Sequence, residues 1–129
     1  MLPNPLVAPS VASPKGHYSA AVTHGGLLYV SGQLGVRPDD SHTADLSFDK
    51  QAEQALANML GVLKDAGCGP DNLVRVTAYI VGVENWPAFN GVYARLLGDA
   101  RPSRTVVPVP ELHYGYMVEI DAIAALPDA

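Results

Sequence analysis

Arg104 is the residue whose setting points most directly to chemistry. It precedes the β-branched residues 105–107, and the next predicted strand carries Glu119 and Asp121. A guanidinium entering an apolar strand needs a partner, because a buried charge is costly unless it is paired and hydrogen-bonded. Two interpretations fit. Either Arg104 forms an internal salt bridge with Glu119 or Asp121, which spacing alone favours, or its rigid fork binds the carboxylate of a small substrate beside a carboxylate that handles water.

The composition limits the classes of protein to which the chain can belong. Its 129 residues predict one domain with a sizeable core. The chain has 48% hydrophobic and only 16% charged residues, a low charged fraction for so small a globular protein. We therefore expect some apolar surface to face another subunit. The net charge of −5 and the eight scattered Lys and Arg residues argue against a nucleic-acid partner, which requires clustered basic residues.

Residue usage also predicts location and metal content. The single cysteine, Cys68, cannot form an internal disulfide, so the chain needs no oxidising compartment. The start of the chain lacks the basic residues and apolar run of a signal peptide, and no apolar stretch approaches the ~20 residues that cross a bilayer. We therefore predict a cytoplasmic protein without membrane contact. The four histidines, at positions 17, 24, 42 and 113, lack zinc-ligand spacing, and no metal site is predicted.

Hydrophobic periodicity predicts one domain over residues 17–129, preceded by a loosely attached arm over residues 1–16. The predicted strands are 18–22, 27–31, 72–81, 103–109 and 116–124, and the predicted helices are 48–66 and 86–97. Ser47 is suited to be the N-cap of the first helix, and Pro87 and Gly98 suit the two ends of the second. Gly25 and Gly26 predict a tight turn between the first two strands.

The order ββαβαββ predicts an α+β domain with two helices on one face of a mixed sheet. The residues assigned to the helix-covered face of the third strand are Val74, Val76, Ala78 and Ile80. The opposite, open face is assigned Tyr29, Tyr79, Val106, Met117 and Ile123, which is too apolar a set to face water. Alternation counted from Val106 and Met117 places Arg104 and Glu119 on this open face as well. We therefore expect a partner subunit to cover it, with a ligand cleft at the boundary.

Five short segments carry a family likeness. They are Gly16-His17-Tyr18-Ser19, Tyr29-Val30-Ser31-Gly32-Gln33, Asn90-Gly91-Val92-Tyr93, Arg101-Pro102-Ser103-Arg104-Thr105 and residues 118–124. In this order and spacing they resemble the Rid family, the reactive intermediate deaminases also called YjgF-like proteins. The resemblance implies a chorismate-mutase-like α+β fold and a homotrimer with clefts between subunits. It also implies hydrolysis of 2-imino or enamine acids, such as 2-iminopropanoate and 2-iminobutanoate, to 2-keto acids and ammonia without a cofactor.

The resemblance further implies roles for individual residues. Arg104 matches the arginine that holds the substrate carboxylate, and Glu119 matches the acid that positions the hydrolytic water. The remaining substrate-binding positions that it implies are Tyr18, Ser31, Gly32, Asn90 and Val106.

The chain departs from the family pattern at three places. Val106 stands where imine-deaminating members often have cysteine, His17 replaces a common proline, and residues 111–116 are more aromatic than the usual loop. These departures bear on the size and identity of the substrate, so a larger catabolic enamine such as 2-aminomuconate is one alternative. Another is a non-catalytic trimer that binds small carboxylates or other proteins, with Arg104 as the anchor.

Overall fold

The computed structural model describes residues 1–128, which form a six-stranded sheet covered on one face by two long helices. The strands are β1 (Asn4–Leu6), β2 (Ala21–His24), β3 (Leu27–Gln33), β4 (Leu73–Val81), β5 (Ser103–Val109) and β6 (Val118–Ala125). The helices are α1 (Phe48–Asp65) and α2 (Trp86–Leu97), and short 3₁₀ turns occupy Pro70–Asn72, Val83–Asn85 and His113–Gly115. None of the helices in this part of the chain combines the length and apolar character needed to cross a membrane.

The sheet is mixed, as predicted. Its strand order is β1-β2-β3-β6-β4-β5, and every neighbouring pair is antiparallel except β4 with β5, which the α2 crossover makes parallel. α1 packs on β3 and β6 and against α2. The α+β class and the placement of both helices on one face are confirmed.

The helices begin and end where capping residues require. The Ser47 hydroxyl accepts a hydrogen bond from the Lys50 N–H and so caps α1. Pro87 lies in the first turn of α2, where its missing N–H has no cost, and Gly98 ends the helix with a φ of 62°. The α2 bounds are those predicted from sequence. The β2–β3 turn is confirmed too, since Gly25 and Gly26 have φ values of 59° and 80°, as the tight two-residue hairpin turn requires.

The predicted faces of β4 are correct except at its start. The ladder between β4 and β6 shifts between Leu73 and Arg75, so one additional residue is accommodated there. As a result Val74, which we assigned to the helix-covered face, is 46% exposed, and Leu73 is buried instead. Strict alternation fails at a bulge because the additional residue reverses the parity of everything before it.

The N-terminal residues are attached more closely than predicted. β1 pairs with β2, and Ala8 and Val11 are buried in the core. The Asp65 carboxylate accepts hydrogen bonds from the Ser10 N–H at 2.8 Å and the Ser10 hydroxyl at 2.6 Å. The expectation of a loose arm is therefore wrong, and the division of the chain near residue 16 stays a prediction.

Two buried amides of α1 hold the long loop between β3 and α1. The Asn58 amide donates to the carbonyl oxygens of Leu34 at 2.9 Å and Val36 at 2.7 Å. The Gln51 amide donates to two carbonyls further along the loop, while its oxygen accepts from the Met117 N–H at 2.8 Å. Because buried carbonyl groups must be satisfied, these side chains fix a loop that has no secondary structure of its own.

Candidate active site

Glu119 lies at the centre of the open face, on β6. Its neighbour across the ladder is Tyr79, which also projects away from the helices. The backbone of β3 passes so close that a Cβ built on Gly32 would lie 2.7 Å from a Glu119 carboxylate oxygen. The position therefore requires glycine while the carboxylate keeps this place.

The surroundings of Glu119 favour its neutral form more than water does. Partial burial raises the pKa of the Glu119 carboxyl, and the nearby Asp121 carboxylate raises it further, while His113 opposes the shift. Burial raises the pKa of Asp121 as well, although the Tyr79 hydroxyl and Arg75 lower it in part. A carboxylate with a raised pKa is a stronger base at neutral pH than an ordinary glutamate, which suits a group that takes a proton from water.

A cavity of about 550 Å³ opens beside Glu119. Four of the residues predicted for the site lie in its wall, namely Tyr18, Ser31, Gly32 and Glu119. The Ser31 hydroxyl donates to the Ser19 carbonyl at 2.6 Å, and this bond ties the end of β3 to the segment that carries Tyr18. Sequence analysis extended β2 back to Tyr18, but the strand starts at Ala21, which leaves the Tyr18 ring exposed at the cavity.

The aromatic loop before β6 supplies further wall residues that sequence analysis did not assign to the site. The rings of His113 and Tyr114 lie with their centroids 3.6 Å apart, and both residues line the cavity. Tyr114 has a φ of 60°, an uncommon conformation for a residue with a side chain. The aromatic density of residues 111–116 was the signal for this part of the wall.

Arg104, Asn90 and Val106 belong to the other side of the sheet. In the parallel ladder Arg104 pairs with Val76 and Val106 pairs with Ala78, and both of these partners are buried beneath the helices. Residues paired in register point to the same face. Arg104 therefore projects towards α2, which carries Asn90 on an exposed position, and Val106 is part of the core.

The predicted placement of Arg104 and Val106 on the open face is thus wrong. β5 has valines at both parities, Val106 and Val107, so its own pattern does not distinguish the faces. The predicted internal salt bridge between Arg104 and Glu119 or Asp121 is therefore wrong as well. Within residues 1–128 the ion pairs are Lys15–Asp40, Lys50–Glu53 and Arg95–Glu53, and none involves Arg104 or Glu119.

Within one chain Arg104 and Glu119 are also far apart. β4 separates β5 from β6, so the two residues stand about 10 Å apart across the sheet. Tyr79 pairs with both Glu119 and Val107, so these two residues stand at the same level of the sheet. Val107 is three residues beyond Arg104, which adds a separation of about 10 Å along the strand direction. The seven predicted site residues therefore form two sets. The first set lies at the cavity and consists of Tyr18, Ser31, Gly32 and Glu119. The second set lies on the α2 side of the sheet and consists of Asn90, Arg104 and Val106.

The remaining reactive side chains give no third set. Burial raises the pKa of the Cys68 thiol, which reduces its thiolate fraction at neutral pH. In the described part of the chain, no three His, Cys, Asp or Glu side chains lie close enough together to hold a metal ion.

The fold is that of a small α+β domain of the YjgF type. The sequence profile described as Endoribonuclease L-PSP matches residues 9–126, and the chain belongs to this family, which includes the YjgF and Rid proteins. The predicted family is confirmed.

Named relatives and a solved structure agree with this family assignment. A 2-iminobutanoate/2-iminopropanoate deaminase of Capra hircus is 37% identical over 109 residues, which cover 84% of this chain and 80% of the relative. A RutC family protein of Synechocystis is 33% identical over 117 residues, or 89% of this chain and 90% of the relative. The crystal structure of a Rid family protein from Yersinia pestis superposes with a TM-score of 0.91 at 33% identity, covering 96% of this chain and 99% of that one.

Proposed function

We propose that the protein is a hydrolytic deaminase of reactive 2-imino or enamine acids, working in clefts between the subunits of a homotrimer. The observation that carries the proposal is the separation of Arg104 from Glu119 on opposite faces of the sheet, where Arg104 has no anionic partner among residues 1–128. Each set lacks what the other supplies. The deaminase relatives support the reaction class.

The size of the substrate explains why two chains are needed. The carboxylate carbon and the imine carbon of a 2-imino acid are adjacent, about 1.5 Å apart. A water attacking the imine carbon must be held about 3 Å away. The arginine that binds the carboxylate and the glutamate that orients the water must therefore lie on the two sides of one small molecule. The intrachain separation excludes this, so Arg104 of one subunit would meet Glu119 of its neighbour.

The proposed reaction is hydrolysis of the protonated imine. Arg104 binds the carboxylate through two parallel N–H donors. Water adds to the imine carbon and gives a proton to Glu119, forming a carbinolamine. Glu119 returns that proton to the nitrogen, accepts the hydroxyl proton as the C–N bond breaks, and passes it to the departing ammonia. Iminium and water thus become a 2-keto acid and an ammonium ion, with Ser31, Gly32, Tyr18 and Asn90 completing the pocket and Val106 contributing its main chain.

Two readouts test the proposal. Light scattering at micromolar concentration should give a mass near three chains, as the resemblance implies. Freshly generated 2-iminopropanoate and 2-iminobutanoate should release ammonia faster with the wild type than in a protein-free blank. The blank is required because these imines also hydrolyse without enzyme.

Arg104→Ala should be nearly inactive while still trimeric, and Arg104→Lys should be much less active than wild type, since lysine keeps the charge and loses the planar fork. Normal deamination by Arg104→Ala would refute the carboxylate clamp.

The cavity favours one variant of this function. The wall of the cavity beside Glu119 includes Tyr18, His113 and Tyr114, an aromatic surface suited to a side chain larger than the methyl group of 2-iminopropanoate. A larger enamine acid such as 2-aminomuconate is therefore a second candidate substrate. Comparison of kcat/KM for the two small imines with that for the larger enamine decides between them. A trimer that binds 2-keto acids without any acceleration would instead be the non-catalytic binding module.

A further inference from the structure

Two aromatic side chains of α2 lie against Arg104. The guanidinium carbon is 5.0 Å from the centroid of the Tyr93 ring and 5.9 Å from that of the Phe89 ring. Phe89 and Tyr93 are one helical turn apart, so they share the face of α2 that meets β5, and their own centroids are 5.5 Å apart. Both are buried. The two rings form an aromatic platform beneath a single cation.

Arg104 has little else to restrict it within its own chain. The hydrogen bonds and ion pairs of side chains in residues 1–128 include contacts of Arg37, Arg75 and Arg95, but none of Arg104. An arginine side chain without contacts samples many rotamers, and ordering it on ligand binding costs entropy. The platform is the contact that limits this freedom.

We propose that Phe89 and Tyr93 are positioning residues that hold the Arg104 guanidinium ready for the substrate carboxylate. A guanidinium attracted by a ring face leaves its N–H edges available, and those edges form the bidentate contact with a carboxylate. The inference rests on the proposed function for the identity of the ligand. It rests on the geometry alone for the contact between the cation and the rings.

The ring of Tyr93 performs this role without its hydroxyl. The hydroxyl oxygen is fully buried and has no hydrogen-bond partner in the described residues. Burial raises the pKa of Tyr93, an effect that the nearby Arg104 charge opposes, so the phenol is neutral at physiological pH. Phenylalanine at this position would keep the platform, whereas leucine would keep the bulk and remove the π face.

The test compares Tyr93→Leu with Tyr93→Phe, using Leu97→Ala as a matched control. Leu97 is buried on the same helix but lies one turn beyond the platform. Tyr93→Leu should raise KM for 2-iminobutanoate, and the dissociation constant of its product 2-oxobutanoate in calorimetry, by about 2- to 30-fold, with kcat changed little. Tyr93→Phe should restore both values to within about twofold of wild type. Leu97→Ala should lower the melting temperature without changing the affinity.

A double-mutant cycle shows whether the platform acts through Arg104. In an Arg104→Lys background the Tyr93→Leu change should alter 2-oxobutanoate affinity much less than in wild type, because the positioned group is gone. An equal effect in both backgrounds would overturn the proposal. So would a loss of affinity in Leu97→Ala as large as that in Tyr93→Leu.

A spectroscopic measurement separates this inference from the proposed function. In the free protein, the rings should shift the Arg104 δ protons upfield in the NMR spectrum, and the shift should persist in Tyr93→Phe and shrink in Tyr93→Leu. If the wild type neither turns over imines nor binds 2-oxobutanoate, the proposed function fails while the NMR shift still reports on the platform. Unshifted δ protons in the wild type would refute the platform itself.

Discussion

Hybrid rings of the proposed homotrimer provide the sharpest test of a site shared between chains. Arg104→Ala removes the clamp and keeps Glu119, and Glu119→Gln does the reverse. If Arg104 of one subunit meets Glu119 of the next, a ring that contains both variants has one boundary where an intact arginine faces an intact glutamate. Whether the ring holds two copies of the first variant or two of the second, that boundary occurs once. Hybrids should therefore show about a third of wild-type activity per ring.

The hybrids are obtained by co-expression of the two variants with different affinity tags and purification on both tags in succession. Each parent variant is purified alone and assayed for ammonia release from 2-iminobutanoate in the same way. Recovery to about a third, from parents near the blank, would be the expected result. Hybrids no more active than their parents would refute the shared site, because a site within one chain is never intact in such a ring.

A matched control confirms that subunits mix. Hybrids of wild type with the Arg104→Ala/Glu119→Gln double variant should average about one sixth of full activity if the site is shared and about one half if it lies within one chain. These figures assume equal amounts of the two kinds of hybrid ring. Activity near one half would contradict the separation of Arg104 from Glu119 as the basis of the site.

The further predictions concern three single residues, Glu119, Gly32 and Asn58. Glu119→Gln should lower kcat by about 10²- to 10⁴-fold with little change in 2-oxobutanoate affinity. Because the pKa of Glu119 is raised above its ordinary 4.5, the folded state binds this proton more tightly than the unfolded state. The charged carboxylate thus lowers stability as pH rises from 4.5 through the folded pKa, so Glu119→Gln should raise the melting temperature at pH 7, whereas loss of a salt bridge would lower it. Wild-type kcat/KM should fall as the pH is lowered through the same folded pKa, because this ratio reports ionisation of the free enzyme. Gly32→Ala should fold but displace the Glu119 carboxylate, whose oxygen lies 2.7 Å from the new Cβ, and a normal kcat would contradict that contact. Asn58→Ala should lower the free energy of unfolding in urea by about 1–3 kcal/mol, since the Leu34 and Val36 carbonyls lose their donor, and an unchanged value would show that water replaces it.

Local signals allowed much of the fold to be predicted. α2 was placed with its correct bounds because Pro87 and Gly98 fix a helix start and end through backbone geometry alone. The alternation of β6 was also correct, since its buried residues Val118, Ile120 and Ala122 alternate with partly polar ones. In both elements the decisive information lies within a few neighbouring residues.

The errors arose where distant pairing decides the outcome. β1 has only three residues and includes Pro5, so nothing in its own sequence marks it as a strand before β2 provides a partner. The face of Val74 depends on a bulge, and the bulge depends on how β4 meets β6. The placement of the site residues also depends on pairing between strands that are distant in sequence. The resemblance identified Arg104 and Glu119 as candidates, but only the register of β4 with both neighbours shows that they face opposite ways.

The two ends of the sheet differ in how they can resist fibrous aggregation. A free sheet edge presents unpaired N–H and C=O groups that can recruit a strand from any other molecule. At one end of the sheet, β1 is only three residues long, so it presents few backbone groups with which another strand can pair. At the other, β5 is seven residues long and rich in valine, a composition prone to such recruitment, but it contains Pro108, which has no N–H to donate. Replacement of this proline by an ordinary strand residue would add a backbone N–H donor to β5, and we expect it to favour cross-β assembly at high concentration.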